Sequence, residues 1–136
     1  MNQISKISSK EALLLIEQVV VEAEKINKQV AVAVCGPEGE LISFLRMDEV
    51  SPASSTIAQN KAYTSARDRK STREMGEGMV AKSRPPAYWG DLRITGFGGG
   101  LPILQKSKVI GGIGVSGLSE AEDERIAQAA ITKIYG

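Results

Sequence analysis

The 136-residue sequence predicts an α+β domain in which helices cover an antiparallel sheet. Two pairs of strand-like segments support this class, because strands joined by a tight turn pair antiparallel. Segments with helical spacing or N-terminal capping signals lie before, between and after those pairs. We expect residues 1–136 to form one domain, since a chain of this length buries roughly two-thirds of its unfolded surface around one core.

The first predicted helix begins after Ser8. Ser8 and Glu11 have the spacing of a capping box, in which each side chain satisfies a backbone N–H of the first turn. Apolar residues then recur at the spacing of one helical face, and Leu14 and Val21 widen that face. The width indicates a helix that packs on a sheet and a neighbouring helix, or against another subunit.

Residues 30–35 and 40–47 form the first predicted hairpin. Both segments are rich in apolar and β-branched residues, and the sequence GPEG at 36–39 is typical of a turn. Cys35 ends the first strand. Because no histidine or other base accompanies this thiol, we interpret it as a small buried apolar residue and not as a nucleophile.

The second predicted helix starts at Ser51-Pro52, with an N-cap serine and a proline at the first helical position. An alanine at every fourth residue from 58 to 66 forms a ridge of small side chains, which allows close packing on a support. Lys61 and Arg67 leave two interpretations open. They belong to a solvated basic face, or they point towards an anionic ligand.

The segment 71–95 is the least regular part of the sequence. Gly76, Gly78 and Pro85-Pro86 are expected to end any helix begun at Ser71. A long irregular segment within a domain is usually a lid, a binding loop or a contact between subunits. Its large, soft side chains either line the face of a flat ring system or fill a satellite core or subunit interface. These side chains are Met75, Met79, Tyr88 and Trp89.

The segment 96–117 holds most of the glycine and the second predicted hairpin. Residues 106–108 separate strand-like segments at 101–104 and 109–115. The loop 96–100 is either an anion-binding nest of backbone N–H groups or a mobile connector. Ser116, at the strand end, is expected to hydrogen-bond within the fold or to donate to a ligand. The last helix follows Ser119, and capping and dipole effects account for its acidic first turn.

Composition excludes several function classes. The formal charge of +1 gives no field to steer the chain towards nucleic acid or an anionic membrane, so neither partner is expected. No apolar run approaches the about 20 residues of a membrane span, and without a signal-peptide pattern a cytoplasmic location is expected. The sequence contains no histidine and one cysteine. It therefore lacks histidine-based nucleophile pairs, an HExxH zinc site and a CxxC motif, and we predict neither catalytic residues nor a metal site.

The chain resembles a known family in several motifs. FGGGLPI at 97–103, VIGGIGVSG at 109–117 and the helix start EAED at 120–123 are similar to the GlcG/HbpS family, also described as the haem-degrading or PduO C-terminal-like domain. The pattern KAYTSA at 61–66 matches the other usual element of that family. The resemblance covers most of the chain. It implies a profilin-like α/β/α sandwich and a homo-oligomer.

The resemblance also implies a small-molecule ligand, namely haem or a related tetrapyrrole. The ligand is expected between the second helix, the Tyr88-Trp89 segment and the loop 98–102. The candidate ligand-binding residues are Lys61, Tyr63, Arg67, Tyr88, Trp89, Gly98, Gly99, Gly100, Pro102 and Ser116. Without histidine, an iron ligand has to be a hydroxyl or one of Tyr63, Tyr88, Met75, Met79 and Lys61.

Two other functions remain open, since fold alone does not determine function. The PduO-like resemblance implies an accessory protein of cobalamin-dependent diol or glycerol metabolism that binds a corrinoid. The adenosyltransferase activity belongs to another domain of PduO proteins and is not expected here. The third possibility is that the chain is a small enzyme acting on a hydroxyacid such as glycolate. Only the association of some relatives with other proteins implies this function. The sequence favours a binding protein over an enzyme.

Overall fold

A computed structural model describes all 136 residues as four α-helices, four β-strands and one short 3-10 helix. The helices are α1 (Ser9–Lys25), α2 (Pro52–Asp68), α3 (Thr72–Ala81) and α4 (Glu120–Tyr135). The strands are β1 (Ala31–Cys35), β2 (Leu41–Arg46), β3 (Gly100–Gln105) and β4 (Lys108–Ser116), and the 3-10 helix spans Pro86–Trp89. None of these helices combines the length and the hydropathy that a membrane span requires.

The four strands form one antiparallel sheet in the order β2-β1-β4-β3. β1 pairs with β2 and β4, and β3 pairs with β4. The inner strands β1 and β4 are mostly buried, whereas β2 and β3 are more exposed. Pro102 lies on the edge strand β3, where a sheet tolerates a missing N–H. The predicted class, an antiparallel sheet flanked by helices, is confirmed.

Helices cover both faces of the sheet. On one face, α1 and α4 pack against each other and against the sheet, and Leu15, Val32, Ile113 and Ile126 belong to the main core there. On the other face, α2 packs across β1, β3 and β4. The structure is therefore the helix–sheet–helix sandwich that the sequence resemblance implies.

The close contact between α2 and β4 depends on small residues on both sides. A Cβ atom on Gly114 would lie 2.2 Å from the carbonyl oxygen of Ala58, and one on Gly112 would lie 2.4 Å from that of Ala62. Ala58, Ala62 and Ala66 are all fully buried. The alanine ridge thus packs directly on a glycine track, which leaves no space for larger residues at either position.

The helix α3 differs from the sequence prediction. Gly76 and Gly78 were expected to end it, but the helix continues through both as far as Ala81. A Cβ atom on Gly76 would lie 2.2 Å from the carbonyl oxygen of Gly96, so this glycine permits a backbone contact. Tertiary packing of this kind outweighs a helix-propensity cost of about 1 kcal/mol. Pro85 and Pro86 lie beyond the helix end.

The helix α1 packs against the sheet and α4, which is one of the two arrangements that its wide apolar face predicts. Leu15 and Val19 are fully buried in the core. Leu14 and Val21, which widen the apolar face, each remain 42% exposed. This flank is not covered by the rest of the chain.

Candidate functional site

A groove of about 1170 Å³ lies between α3, the segment 94–98 and the start of α4. We call it the α3–α4 groove. Ligand sites commonly measure roughly 300–1,000 Å³, so the groove is large enough for a cofactor-sized molecule. Its lining residues are Arg73, Gly76, Glu77, Met79, Val80, Ala81, Pro86, Ile94, Thr95, Gly96, Phe97, Gly98, Glu120, Ala121 and Glu124.

The contact between Gly76 and Gly96 positions two walls of the groove. Because Gly76 has no side chain, the backbone at Gly96 approaches α3 directly. The Sδ atom of Met79 lies beside the same backbone, 3.1 Å from where a Cβ atom on Gly96 would lie. The segment 94–98 is thereby held against α3, and the start of α4 completes the lining of the groove.

The apolar wall of the groove comes mainly from α3 and the segment 94–98. Met79 and Ile94 are buried in a small cluster that also contains Tyr63 and Met75. Val80 and Phe97, by contrast, are 84% and 57% exposed. Large apolar side chains exposed beside a cavity are typical of a binding surface.

The other edge of the groove is charged, and we call it the acidic rim. Arg73 donates to Glu77 at 3.0 Å and to Glu124 at 3.2 Å. The hydrogen bond to Glu77 and the attraction of Glu124 raise the pKa of Arg73. Glu120 accepts from the backbone N–H of Gly98 at 2.7 Å, which ties the segment 94–98 to α4. No group of carboxylates in the structure is arranged to hold a metal ion.

Lys61 lies in the protein interior and not on the groove wall. Its ammonium donates to the Asp123 carboxylate at 3.1 Å and to the carbonyl oxygen of Val115 at 2.8 Å. Burial lowers the pKa of Lys61 and raises the pKa of Asp123, and the attraction between the two charges opposes both shifts. The structure therefore contradicts the interpretation of Lys61 as part of a solvated basic face, because its ammonium is paired inside the chain. It joins α2 to α4 and β4.

The glycine loop is fixed to its surroundings. Gly99 has a φ of +125°, and a Cβ atom there would lie 2.7 Å from the Lys61 ammonium. Gly100 donates its N–H to the Thr72 hydroxyl at 2.8 Å, as Gly98 does to Glu120. These N–H groups already have partners in the chain. The loop is thus hydrogen-bonded to α3 through Thr72 and to α4 through Glu120, beside the buried ion pair.

Tyr63 is the centre of a separate polar cluster. Its hydroxyl hydrogen-bonds with the Asp91 carboxylate and accepts from Arg93 at 2.7 Å. This contact with Tyr63 is the main reason that the pKa of Asp91 is lowered. The guanidinium groups of Arg93 and Arg67 lie 3.9 and 4.9 Å from the centre of the Tyr63 ring. Such cation–π contacts stabilise the ring's position.

The ligand-binding residues predicted from the sequence lie in several separate places in the structure. Gly98 alone among them lies on the wall of the α3–α4 groove. Arg67 and Trp89 line a second, smaller cavity of about 340 Å³, while Tyr88 is 71% exposed and lines neither cavity. Pro102 is partly exposed on the edge strand β3. The other candidates are buried at the ion pair, in the sheet or in the Tyr63 cluster; these are Lys61, Tyr63, Gly99, Gly100 and Ser116.

Sequence reasoning missed most of the groove's charged residues. Glu120 and Glu124 were assigned to the first turn of α4, which explains their position on the helix but not their location on the groove. The sequence signal that could have indicated the groove was the pair of glycines at 76 and 78 within one helix, because a glycine inside a helix often marks a close contact. Gly76 does make such a contact.

A comparison with protein families gives a match over residues 7–132 to the family described as "Haem degrading protein HbpS-like". A 15.0 kDa protein from the dhaT-dhaS intergenic region of Citrobacter freundii is 33% identical over 135 residues, covering 95% of this chain and 92% of that one. Protein GlcG of Escherichia coli is 37% identical over 95 residues, covering 70% of this chain and 69% of that one.

The corrinoid adenosyltransferase PduO of Citrobacter freundii is 28% identical over 134 residues, which cover 94% of this chain but only 39% of PduO. Among solved structures, a double mutant of HbpS from Streptomyces reticuli superposes with a TM-score of 0.89 and 28% identity, covering 100% of this chain and 91% of that one. The structure described as a PduOC:heme complex gives a TM-score of 0.88 and 26% identity, covering 96% of both chains.

Proposed function

The chain belongs to the HbpS-like family, and from this premise we propose that it binds haem or a related tetrapyrrole in the α3–α4 groove. The observation that carries the proposal is the groove itself, an apolar-walled site of about 1170 Å³ in a fold shared with a haem complex. Protein sites for cofactors are usually concave and largely apolar. A flat ring would lie against Met79, Ile94 and Phe97.

The donor atoms of the groove support iron coordination by sulfur. Met79 is the only sulfur-containing residue on the groove wall, and a methionine thioether is an established axial ligand of haem iron. Lys61 and Tyr63, which the sequence also offered as iron ligands, are bonded to Asp123 and Asp91. Met79 is therefore the residue that we propose for iron. When bound, haem would supply an iron centre that this histidine-free chain otherwise lacks.

A haem titration tests the proposal. Ferric haem is added to the purified chain, and the Soret band is compared with that of free haem in the same buffer. A saturable shift at one haem per chain is the expected result. Iron-free protoporphyrin IX, followed by fluorescence, then separates packing of the ring from coordination of the iron. If neither compound gives a saturable signal, the chain does not bind tetrapyrroles.

A corrinoid is a second candidate ligand, and the similarity to PduO over 94% of this chain favours it. The matched part is only 39% of PduO, so its transferase activity is not part of the proposal. In this role, the chain would be an accessory protein of cobalamin-dependent diol or glycerol metabolism. Calorimetry with cobalamin, run beside the haem titration, distinguishes the two ligands.

We also propose that the chain forms a homo-oligomer. Exposed apolar residues on α1 support this, since Leu13 is 51% exposed and Leu14 and Val21 are each 42% exposed. A monomer rarely leaves a row of large apolar side chains in water without a partner. Light scattering coupled to size exclusion measures the mass, and replacing Leu14 with Gln is expected to reduce it. A native mass of 14.5 kDa, that of one chain, would contradict the proposal.

A further inference from the structure

The acidic rim carries more negative than positive charge. One arginine and three glutamates line the groove, which gives a formal charge of −2. The N-terminus of α4 adds a partial positive charge of about half an elementary unit, and this does not cancel the excess. An anionic group that enters the groove at this edge therefore meets repulsion.

The one cation on the rim is already engaged. Arg73 contacts Glu77 and Glu124 through different nitrogen atoms, at 3.0 and 3.2 Å. These two carboxylates balance the charge of the guanidinium, of which Nε and Nη1 are engaged and Nη2 has no partner in the chain. Glu120 is fixed by its bond to Gly98, so its charge stays at the groove. The rim thus offers carboxylate acceptors for a cationic group, whereas an anionic group meets a net negative charge and an arginine that two carboxylates already balance.

The groove also has apolar side chains that are exposed. Val80 and Phe97 face the groove with most of their side chains open to water. A guest that covers them removes apolar surface from water, which favours binding whatever its charge. The apolar wall therefore favours an apolar guest, and the acidic rim determines which charge is favoured on the part of the guest that lies beside it.

We propose that the α3–α4 groove selects a flat apolar guest whose edge at the acidic rim is cationic or neutral, and that it disfavours a carboxylate there. This inference rests on the proposed function, because it specifies which edge of a tetrapyrrole enters. For haem, it means that the propionates point away from Glu77 and Glu124 into water. The preferred ligands are tetrapyrroles, or similar flat rings, with amine or amide substituents.

Three iron-free porphyrins with the same ring test this selectivity. They are protoporphyrin IX, its dimethyl ester, and a diamide in which each propionate carries a tertiary amine. Fluorescence titrations at low salt are expected to rank them from the cationic diamide, through the ester, to the dicarboxylate. Each unit of charge at the rim contributes about threefold at distances near 6 Å in water. With one substituent at the rim, replacing the carboxylate by an ammonium changes the charge by two units, so we expect about tenfold between the extremes. High salt is expected to reduce this ratio.

Two variants locate the effect at the rim. The double variant Glu77→Gln, Glu124→Gln keeps side-chain size and frees Arg73, so it is expected to bring the dicarboxylate to within about twofold of the diamide. Glu17→Gln is the matched control, because Glu17 is an exposed acid of α1 outside the groove. Its ranking of the three porphyrins is expected to equal that of the native chain. Circular dichroism verifies that all variants are folded.

The possible failures are distinguishable. If the native chain binds the dicarboxylate as tightly as the diamide or more tightly, the selectivity is refuted while tetrapyrrole binding stands. An unchanged preference in the double variant also refutes it, because the rim would then not be its source. If no porphyrin of any charge binds, the proposed function itself is refuted, and the selectivity with it.

Discussion

The ammonium of Lys61 on α2 lies 3.1 Å from the carboxylate of Asp123 on α4, and each side chain is only 2% exposed. These helices cover opposite faces of the sheet, so the ion pair links the two layers past the end of β4. The Asp123 carboxylate also accepts from the backbone N–H of Leu118 at 3.1 Å, and Lys61 donates to Val115. A buried pair with all of these hydrogen bonds avoids most of the cost of burying charge.

Breaking this pair is expected to destabilise the chain strongly. Lys61→Met leaves the Asp123 carboxylate buried without its cation, at a cost of about 3–5 kcal/mol in the free energy of unfolding. The double variant Lys61→Met, Asp123→Leu removes both charges and is expected to recover most of that loss. Urea unfolding measures both effects. A loss below about 1 kcal/mol in the single variant would show that the pair does not form.

Alanine substitutions of Gly114 in β4 and of Gly78 in α3 are expected to change the stability of the chain in opposite directions. Gly114→Ala places a Cβ atom against the Ala58 carbonyl oxygen, and overpacking of this kind costs about 1–3 kcal/mol or more. Gly78→Ala is the matched control, because no atom lies within 4 Å of its Cβ position. It should stabilise α3 by about 0.5–1 kcal/mol. Thermal unfolding compares the two, and equal effects would contradict the close packing of α2 on β4.

The thiol of Cys35 is expected to make stability fall at alkaline pH. Burial raises the pKa of Cys35 from 9.0 to about 12. A thiol with a raised pKa in the folded state favours folding below the unfolded value of 9.0, and this contribution is lost as the pH rises towards 12. The free energy of unfolding should therefore fall by about 1.4 kcal/mol for each pH unit above 9.

Cys35→Ala removes this titration and serves as the reference for other groups that titrate at alkaline pH. The difference between native chain and variant, measured by urea unfolding from pH 8 to pH 10.5, isolates the thiol. Parallel pH profiles for the two would mean that the thiol titrates normally. Labelling gives an independent check, because a buried thiol should react with a thiol reagent only after unfolding.

Replacing Met79 is expected to separate iron coordination from ring packing. Met79→Leu keeps the apolar wall but removes the sulfur, so it should shift or weaken the Soret band of bound haem while protoporphyrin IX binding changes by less than about threefold. Met75→Leu is the matched control, since Met75 lies in the same buried cluster but not on the groove wall. Identical haem spectra for all three proteins would exclude Met79 as the iron ligand.

The helices and hairpins that depend on residues close together in the sequence could be predicted from the sequence. The capping box of Ser8 and Glu11 is formed in full, and Ser51 and Ser119 cap α2 and α4 as predicted. Both hairpins pair as their spacing indicates. Such signals are readable because the interacting residues are neighbours along the chain, and backbone geometry fixes their relative positions.

Signals that depend on distant partners were misread or missed. Gly76 looked like a helix end, but the backbone of Gly96, twenty residues on, compensates its low helix propensity. Lys61 was interpreted as part of a solvated basic face or as a cation for an anionic ligand, yet its partner Asp123 lies 62 residues away in sequence. No periodicity within α2 indicates that partner.

The sequence by itself determined the order of the elements, the antiparallel sheet, the covering of both its faces and the family of the chain. Only the tertiary structure decided that Lys61 is an internal ion-pair partner and that the groove lies between α3, the segment 94–98 and α4. The physical reason is that a helix or strand follows from neighbouring residues. A groove is the space that separate elements leave unfilled, and its charge depends on which of their side chains meet there.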